Sequence, residues 1–131
     1  MAVVTGAGSG IGRSMAAALA SAGAADAASE DGIATLLDTA RRAFGQVDIY
    51  VANAGITGQP GVGDDEAAWD QIIDINLRAH IRAAKAVVPE WLERGSGHFV
   101  AVASAAGLLT QLGGTPYTKH AATRTIDRPA V

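Results

Sequence analysis

The chain has 131 residues, 49% hydrophobic and 18% charged, which suits one soluble domain with a real core. Its formal charge is −3 and no basic patch is visible, which argues against a nucleic-acid partner. It has no cysteine, so disulfides and thiolate zinc sites are excluded. "AVVT" (2–5) reads as a short buried strand. Residues 11–24 place Ile11, Met15, Ala18, Leu19 and Ala22 at helical spacing, with Gly23 as a stop. Small and polar residues follow at 24–32. Ser29 to Gly32 then lead into a helix expected at 33–44, with Ile33, Leu36, Leu37, Ala40 and Phe44 on one face and Gly45 closing it.

"VDIYVANAG" (47–55) predicts a second strand running into a turn, and 56–65 a loop. A long helical pattern spans 66–93 and holds Trp69, Ile72, Ile73, Leu77, Ile81 and Val88, with Pro89 expected to end or kink it. "HFVAVAS" (98–104) predicts a third strand, and a last helix is expected from about residue 116. No apolar run reaches the ~18 residues of a membrane span. "MAVVTGAG" lacks the basic region of a signal peptide, so the expected location is cytoplasmic, away from membranes.

Strands alternating with helices predict an α/β fold with a mostly parallel, doubly wound sheet. Ligands of such sheets bind outside the carboxyl ends of the strands. Gly6 to Gly12, Asn53 to Gly55 and Ser104 fall at those ends. In "VVTGAGSGIG", glycines between a strand and a helix let the backbone approach a phosphate. The helix N-terminus adds N–H groups and a positive dipole end. The spacing is Thr5-Gly6-x-x-x-Gly10-Ile11-Gly12, not the common G-x-G-x-x-G, since Ile11 and Arg13 stand where that pattern needs glycine.

This pattern, with "NAG" at 53–55, "INL" at 75–77, "SAAG" at 104–107 and "PYTKH" at 116–120, resembles the short-chain dehydrogenase/reductase family. The resemblance implies a Rossmann-type fold, an NAD or NADP cofactor, and hydride transfer between the nicotinamide and an alcohol or carbonyl substrate. It also makes a homo-oligomer a reasonable expectation. Gly6, Ser9, Gly10, Ile11 and Gly12 would form the pyrophosphate turn. Asp26 would lie near the adenine amino group. Asn53, Ala54 and Gly55 would border the adenine side and steady the sheet. Asn76 would interrupt the long helix and hold a water in a proton relay. Ser104 would hydrogen-bond the substrate oxygen and Tyr117 would be the general acid/base. A lysine after it, here Lys119, would bind the ribose and lower the tyrosine pKa from its ordinary ~10.

The chain departs from the family in three places. The family spacing is Tyr-x-x-x-Lys, and here it is Tyr117-x-Lys119. On a helix, i and i+2 point about 200° apart, so the lysine would face away from the tyrosine. Either a helix starting after Tyr117 or His120 at i+3 would restore a cation beside the phenol. Between Gly23 and Ile33 a strand of the family is missing, and with it the residue that selects NAD or NADP. Ser9 points to NAD and Arg13 to NADP, so the choice stays open. The strands and helices that cover the family's substrate have no counterpart after 120. Residues 1–131 therefore read as one incomplete dinucleotide-binding domain, truncated and internally deleted, with three strands in the order 1-4-5 by family numbering. Two further readings are a nucleotide-binding remnant without catalysis and an oligomerising interaction module.

Acidic residues 64–66 read as a helix start rather than a metal site. His80 and His98 lack partners at metal spacing. Trp69 and Trp91 lie on a helical apolar face and read as core or interface.

Overall fold

A computed structural model of the chain describes residues 1–19, 28–57 and 65–105. Among them, three strands form one parallel sheet in the order β1-β2-β3, as expected: β1 is Ala2–Val4, β2 Ile49–Ala52 and β3 His98–Ala101. Val3 pairs with Tyr50, and Tyr50 with Phe99, whose rings stack at 5.4 Å between centroids. Each strand is shorter than its apolar run. Thr5 and Val102 lie just past the strand ends and each still donates one ladder bond, to the Val51 and Ala52 carbonyls. The Gly23 stop, most of the 24–28 stretch, Asp26, and the helix expected from 116 with Tyr117 and Lys119 lie outside the described residues.

Helix α1 (Gly10–Leu19) starts directly out of the glycine turn. Ile11, expected on its core face, is exposed at the helix's first turn. Helix α2 runs Glu30–Phe44, starting earlier than the expected residue 33. The cause is the cap: Ser29 is extended, and its Oγ accepts the Gly32 N–H at 3.0 Å. Glu30 and Asp31 in the first turn, and Arg41 and Arg42 in the last, match the helix dipole. Gly45 closes the helix as expected. Ile33 and Leu37 are buried and Leu36 and Ala40 pack against them, but Phe44 is exposed because it lies at the helix end, past the sheet.

The long helical pattern is one continuous rod with a widened middle: α3 (Glu66–Ile73), a π-helical turn at Asp74–Arg78, and α4 (Ala79–Arg94). Asp65 caps α3 by accepting the Ala68 N–H at 2.8 Å, which bears out the helix-start reading of Asp65 and Glu66. Pro89 does not end the rod, which continues to Arg94. Beyond the proline the last turn is fastened to the start of β2. Trp91 Nε1 donates to the Val47 carbonyl at 2.7 Å, and Arg94 Nη2 donates to the same oxygen at 2.6 Å. Trp91 is thus a core residue, as expected. Ile81, by contrast, is exposed, because α4 turns a different stripe, Ala79, Ala83, Val87 and Trp91, to the sheet. α2 and α4 meet over the sheet, and their core joins Val3, Ile33, Leu37, Val47, Tyr50, Ala52, Ala83, Val87 and Trp91. No described helix is long and apolar enough to cross a membrane.

Candidate functional site

Parallel pairing puts the ends of all three strands on one edge. Thr5 follows β1, Asn53 to Gly55 follow β2, and Ser104 follows β3. The geometry is built around Thr5, which is buried. Its N–H donates to the Val51 carbonyl at 3.0 Å and so extends the β1–β2 ladder by one residue. Its hydroxyl donates to the same carbonyl at 3.3 Å and accepts two backbone N–H groups, from Asn53 at 2.9 Å and Ala54 at 3.0 Å. The Asn53 side chain donates back to the Thr5 carbonyl at 3.0 Å. The turns after β1 and β2 are bolted together by one hydroxyl and one amide.

That bolt explains two glycines. Gly6 has φ 66, and a Cβ there would lie 2.9 Å from Ala54 Cα. A Cβ on Gly12 would collide with the Gly6 carbonyl oxygen and Asn53 Nδ2. The turn folds back so that helix α1 starts against its own entry strand. Arg13 N–H donates to the Ser9 carbonyl at 3.1 Å as the first helical bond, so the preceding N–H groups at the tip have no helical acceptor. Gly8, Ser9, Gly10 and Ile11 are exposed there. An exposed helix start of this kind, with its dipole positive and its first N–H groups outside the helical ladder, suits an anion.

Asn76 is buried at the centre of the π-helical turn. Its amide makes a two-bond clamp on one residue: Oδ1 accepts the Ile56 N–H at 2.8 Å and Nδ2 donates to the Ile56 carbonyl at 2.8 Å. A Cβ on Gly55 would lie 3.1 Å from Asn76 Oδ1. Asn76 therefore interrupts the regular helix, as expected, and fixes the backbone following Asn53 to Gly55. An asparagine amide has four hydrogen-bonding positions and the clamp uses two, so one N–H and one lone pair are left for any relay.

Below this edge, His80 Nε2 lies 3.1 Å from the Ala52 carbonyl oxygen, and Thr5, Tyr50, Ala52, Ala54, Ile75, Ala79 and His80 line a small cleft. Burial pushes the Tyr50 phenol up to about 12, so it stays neutral. Asp74, at the start of the π-helical turn, is held below the usual carboxylate range, chiefly by hydrogen bonds from Arg82. Among the described residues no group of three or more His, Asp or Glu side chains is placed to hold a metal ion.

The structure thus brings together Gly6, Ser9, Gly10, Ile11 and Gly12 with Asn53, Ala54, Gly55 and Asn76, and puts Ser104 on the same edge. Asp26, Tyr117 and Lys119 lie outside the described residues. Sequence reasoning passed over the bolting role of Thr5 and the Ile56 backbone. The signal for Thr5 was present, a hydroxyl residue between a strand and the first glycine of a turn.

Comparison with known proteins finds similar sequences and similar folds. The family model for short chain dehydrogenase matches residues 24–128. An uncharacterized oxidoreductase of Staphylococcus aureus is 31% identical over 158 positions, covering 98% of this chain and 68% of that protein. That span is longer than the chain itself, so the alignment opens gaps in it, as an internal deletion requires. A second uncharacterized oxidoreductase, from Staphylococcus saprophyticus, is 30% identical over 82% of this chain and 59% of its own length. Among solved structures, a 7 alpha-hydroxysteroid dehydrogenase complexed with NADH and 7-oxo glycochenodeoxycholic acid superposes with a TM-score of 0.84 at 26% identity, over 95% of this chain. A gluconate 5-dehydrogenase from Burkholderia cenocepacia, in complex with NADP and tartrate, superposes with a TM-score of 0.80 at 25% identity, over 92% of this chain. The chain spans 60% of the length of each of these two structures. The family model covers most of the chain, and a relative is 31% identical over nearly all of it: the chain belongs to the short-chain dehydrogenase family.

Proposed function

We propose that this chain is an NAD- or NADP-dependent oxidoreductase that moves hydride between the nicotinamide and an alcohol or carbonyl carbon. The observation that carries this reading is the exposed glycine turn at the start of α1, held to the Asn53–Ala54 turn by the Thr5 hydroxyl. Gly6, Gly10 and Gly12 with the α1 N-terminus would take the pyrophosphate, and Asn53, Ala54 and Gly55 would border the adenine side. Asp26 would lie beside the adenine amino group. When bound, the dinucleotide supplies the carbon that accepts or gives up the hydride. Ser104 would donate a hydrogen bond to the substrate oxygen. Tyr117 would hold the proton that this oxygen gains or loses, with Lys119 favouring its phenolate. Asn76 would pass that proton toward solvent through a water on its remaining amide positions. Two of the similar structures are complexes, one with NADH and one with NADP, which supports the cofactor class and leaves the choice between them open.

The Tyr117-x-Lys119 spacing favours a second reading, binding of the nucleotide without turnover. The two readings separate in one experiment. The purified chain is heated with millimolar NAD(H) or NADP(H), then assayed on a panel of alcohols and ketones. The proposed activity predicts a rise in Tm with one cofactor and turnover that Tyr117→Phe abolishes. A shift without turnover selects the binding reading, and no shift with either cofactor refutes both.

A further inference from the structure

Asp74 and Arg82 form a two-bond ion pair: Arg82 Nη2 donates to Asp74 Oδ1 at 2.7 Å and Nη1 to Oδ2 at 2.9 Å. The same Nη1 donates at 2.6 Å to the carbonyl of Ala28, in the lead-in to α2. The spacing between the partners is unusual. In a regular α-helix the residue two turns on is at i+7, and i+8 is rotated about 80° away from i. Asp74 and Arg82 are eight apart. A π-helical turn inserts one extra residue, so that the two-turn repeat becomes eight. The inserted residue is in the Asp74–Arg78 turn, where the Ala79 N–H reaches back to the Asp74 carbonyl, five residues away. The pair therefore spans the widened turn and fits only while the turn is widened. Regularising the rod to α would swing Arg82 off the face of Asp74 and away from Ala28. It would also rotate Asn76, which is buried in that turn and clamps Ile56.

We propose that the Asp74–Arg82 pair is a latch that holds the π-helical turn open, and that Arg82 is the positioning residue for Asn76. Arg78 adds a looser contact to Asp74 at 3.7 Å within the turn, but at i+4 it fits either helical form and does not discriminate between them. The latch is a property of the rod itself. Its consequence for catalysis rests on the oxidoreductase reading, but its test does not.

The test is residue-resolved amide exchange and the side-chain amide resonance of Asn76, compared in the parent chain, Arg82→Lys, Arg82→Met and Asp74→Asn. Asn76→Ala, which removes the clamp outright, sets the scale. The latch predicts at least tenfold faster exchange at the Ile56 amide in Arg82→Met. It also predicts a shifted Asn76 side-chain resonance, partial restoration in Arg82→Lys, and unchanged exchange at Ile33 and Leu37 in α2. Unchanged Ile56 exchange in Arg82→Met would overturn it. Uniform loss of protection at Ile56, Ile33 and Leu37 would overturn it too, since the pair would then serve general stability. If the parent chain shows the latch but binds neither cofactor, the oxidoreductase reading fails and the latch stands.

Discussion

Thr5 is the residue on which the candidate site turns. Its hydroxyl accepts the N–H groups of Asn53 and Ala54, and nothing else described accepts them. Thr5→Val keeps the shape and removes the acceptor, leaving two N–H groups in a part-buried setting. The expected cost is about 2 kcal/mol or more, with a matching loss of cofactor affinity, whereas Thr5→Ser keeps both properties. Denaturant unfolding and a binding titration on the three proteins check this. Gly12 makes the complementary case. A methyl group there strikes the Gly6 carbonyl oxygen and Asn53 Nδ2, the latter held by the same bolt. Gly12→Ala is expected to weaken NAD(P) binding at least tenfold in a titration and to lower Tm. The glycines were legible in the sequence because glycine between strand and helix has few other uses. Thr5 and Ile56 were not, because their roles lie in backbone groups brought together across the sheet, and no local pattern records that.

At the scale of elements, local chemistry fixed types well and boundaries less well. The apolar runs located all three described strands, which end one to three residues short of the runs, where the turns begin. α2 started early because the Ser29 cap and the acids after it outweighed the absence of apolar residues before Ile33. The π-helical turn left only a trace, an asparagine in an otherwise apolar helical stripe. Pro89 shows tertiary anchoring overriding a local rule. Trp91 and Arg94 converge on the Val47 carbonyl and hold the turn that the proline weakens. Trp91→Phe keeps the ring but loses the N–H bond. It is expected to cost roughly 1 kcal/mol in denaturant unfolding, because Arg94 still satisfies the carbonyl.

At the scale of the whole molecule, the described core holds the Tyr50 phenol, stacked on Phe99 and packed among the α2 and α4 core residues. Its pKa is raised by burial to about 12 from an ordinary 10. Only the unfolded chain ionises first, so its contribution to stability is intact below pH 10 and is lost as pH rises from there toward 12. A series of Tm measurements through that window should show the decline, and Tyr50→Phe should flatten it.

The bolt has a consequence for how the molecule comes to exist. Thr5 and Asn53 are 48 residues apart, and both sheet pairings are parallel, so no hairpin can start the assembly. A chain leaving the ribosome presents Thr5 and the glycine turn long before the donors Asn53 and Ala54 are made. Closing a loop of that length comes before any of its contacts is gained, and such topologies fold slowly. The nucleotide seat is therefore a late product of folding. In refolding, the capacity to bind a dinucleotide should return no earlier than the β1–β2 ladder, and helical signal should precede both.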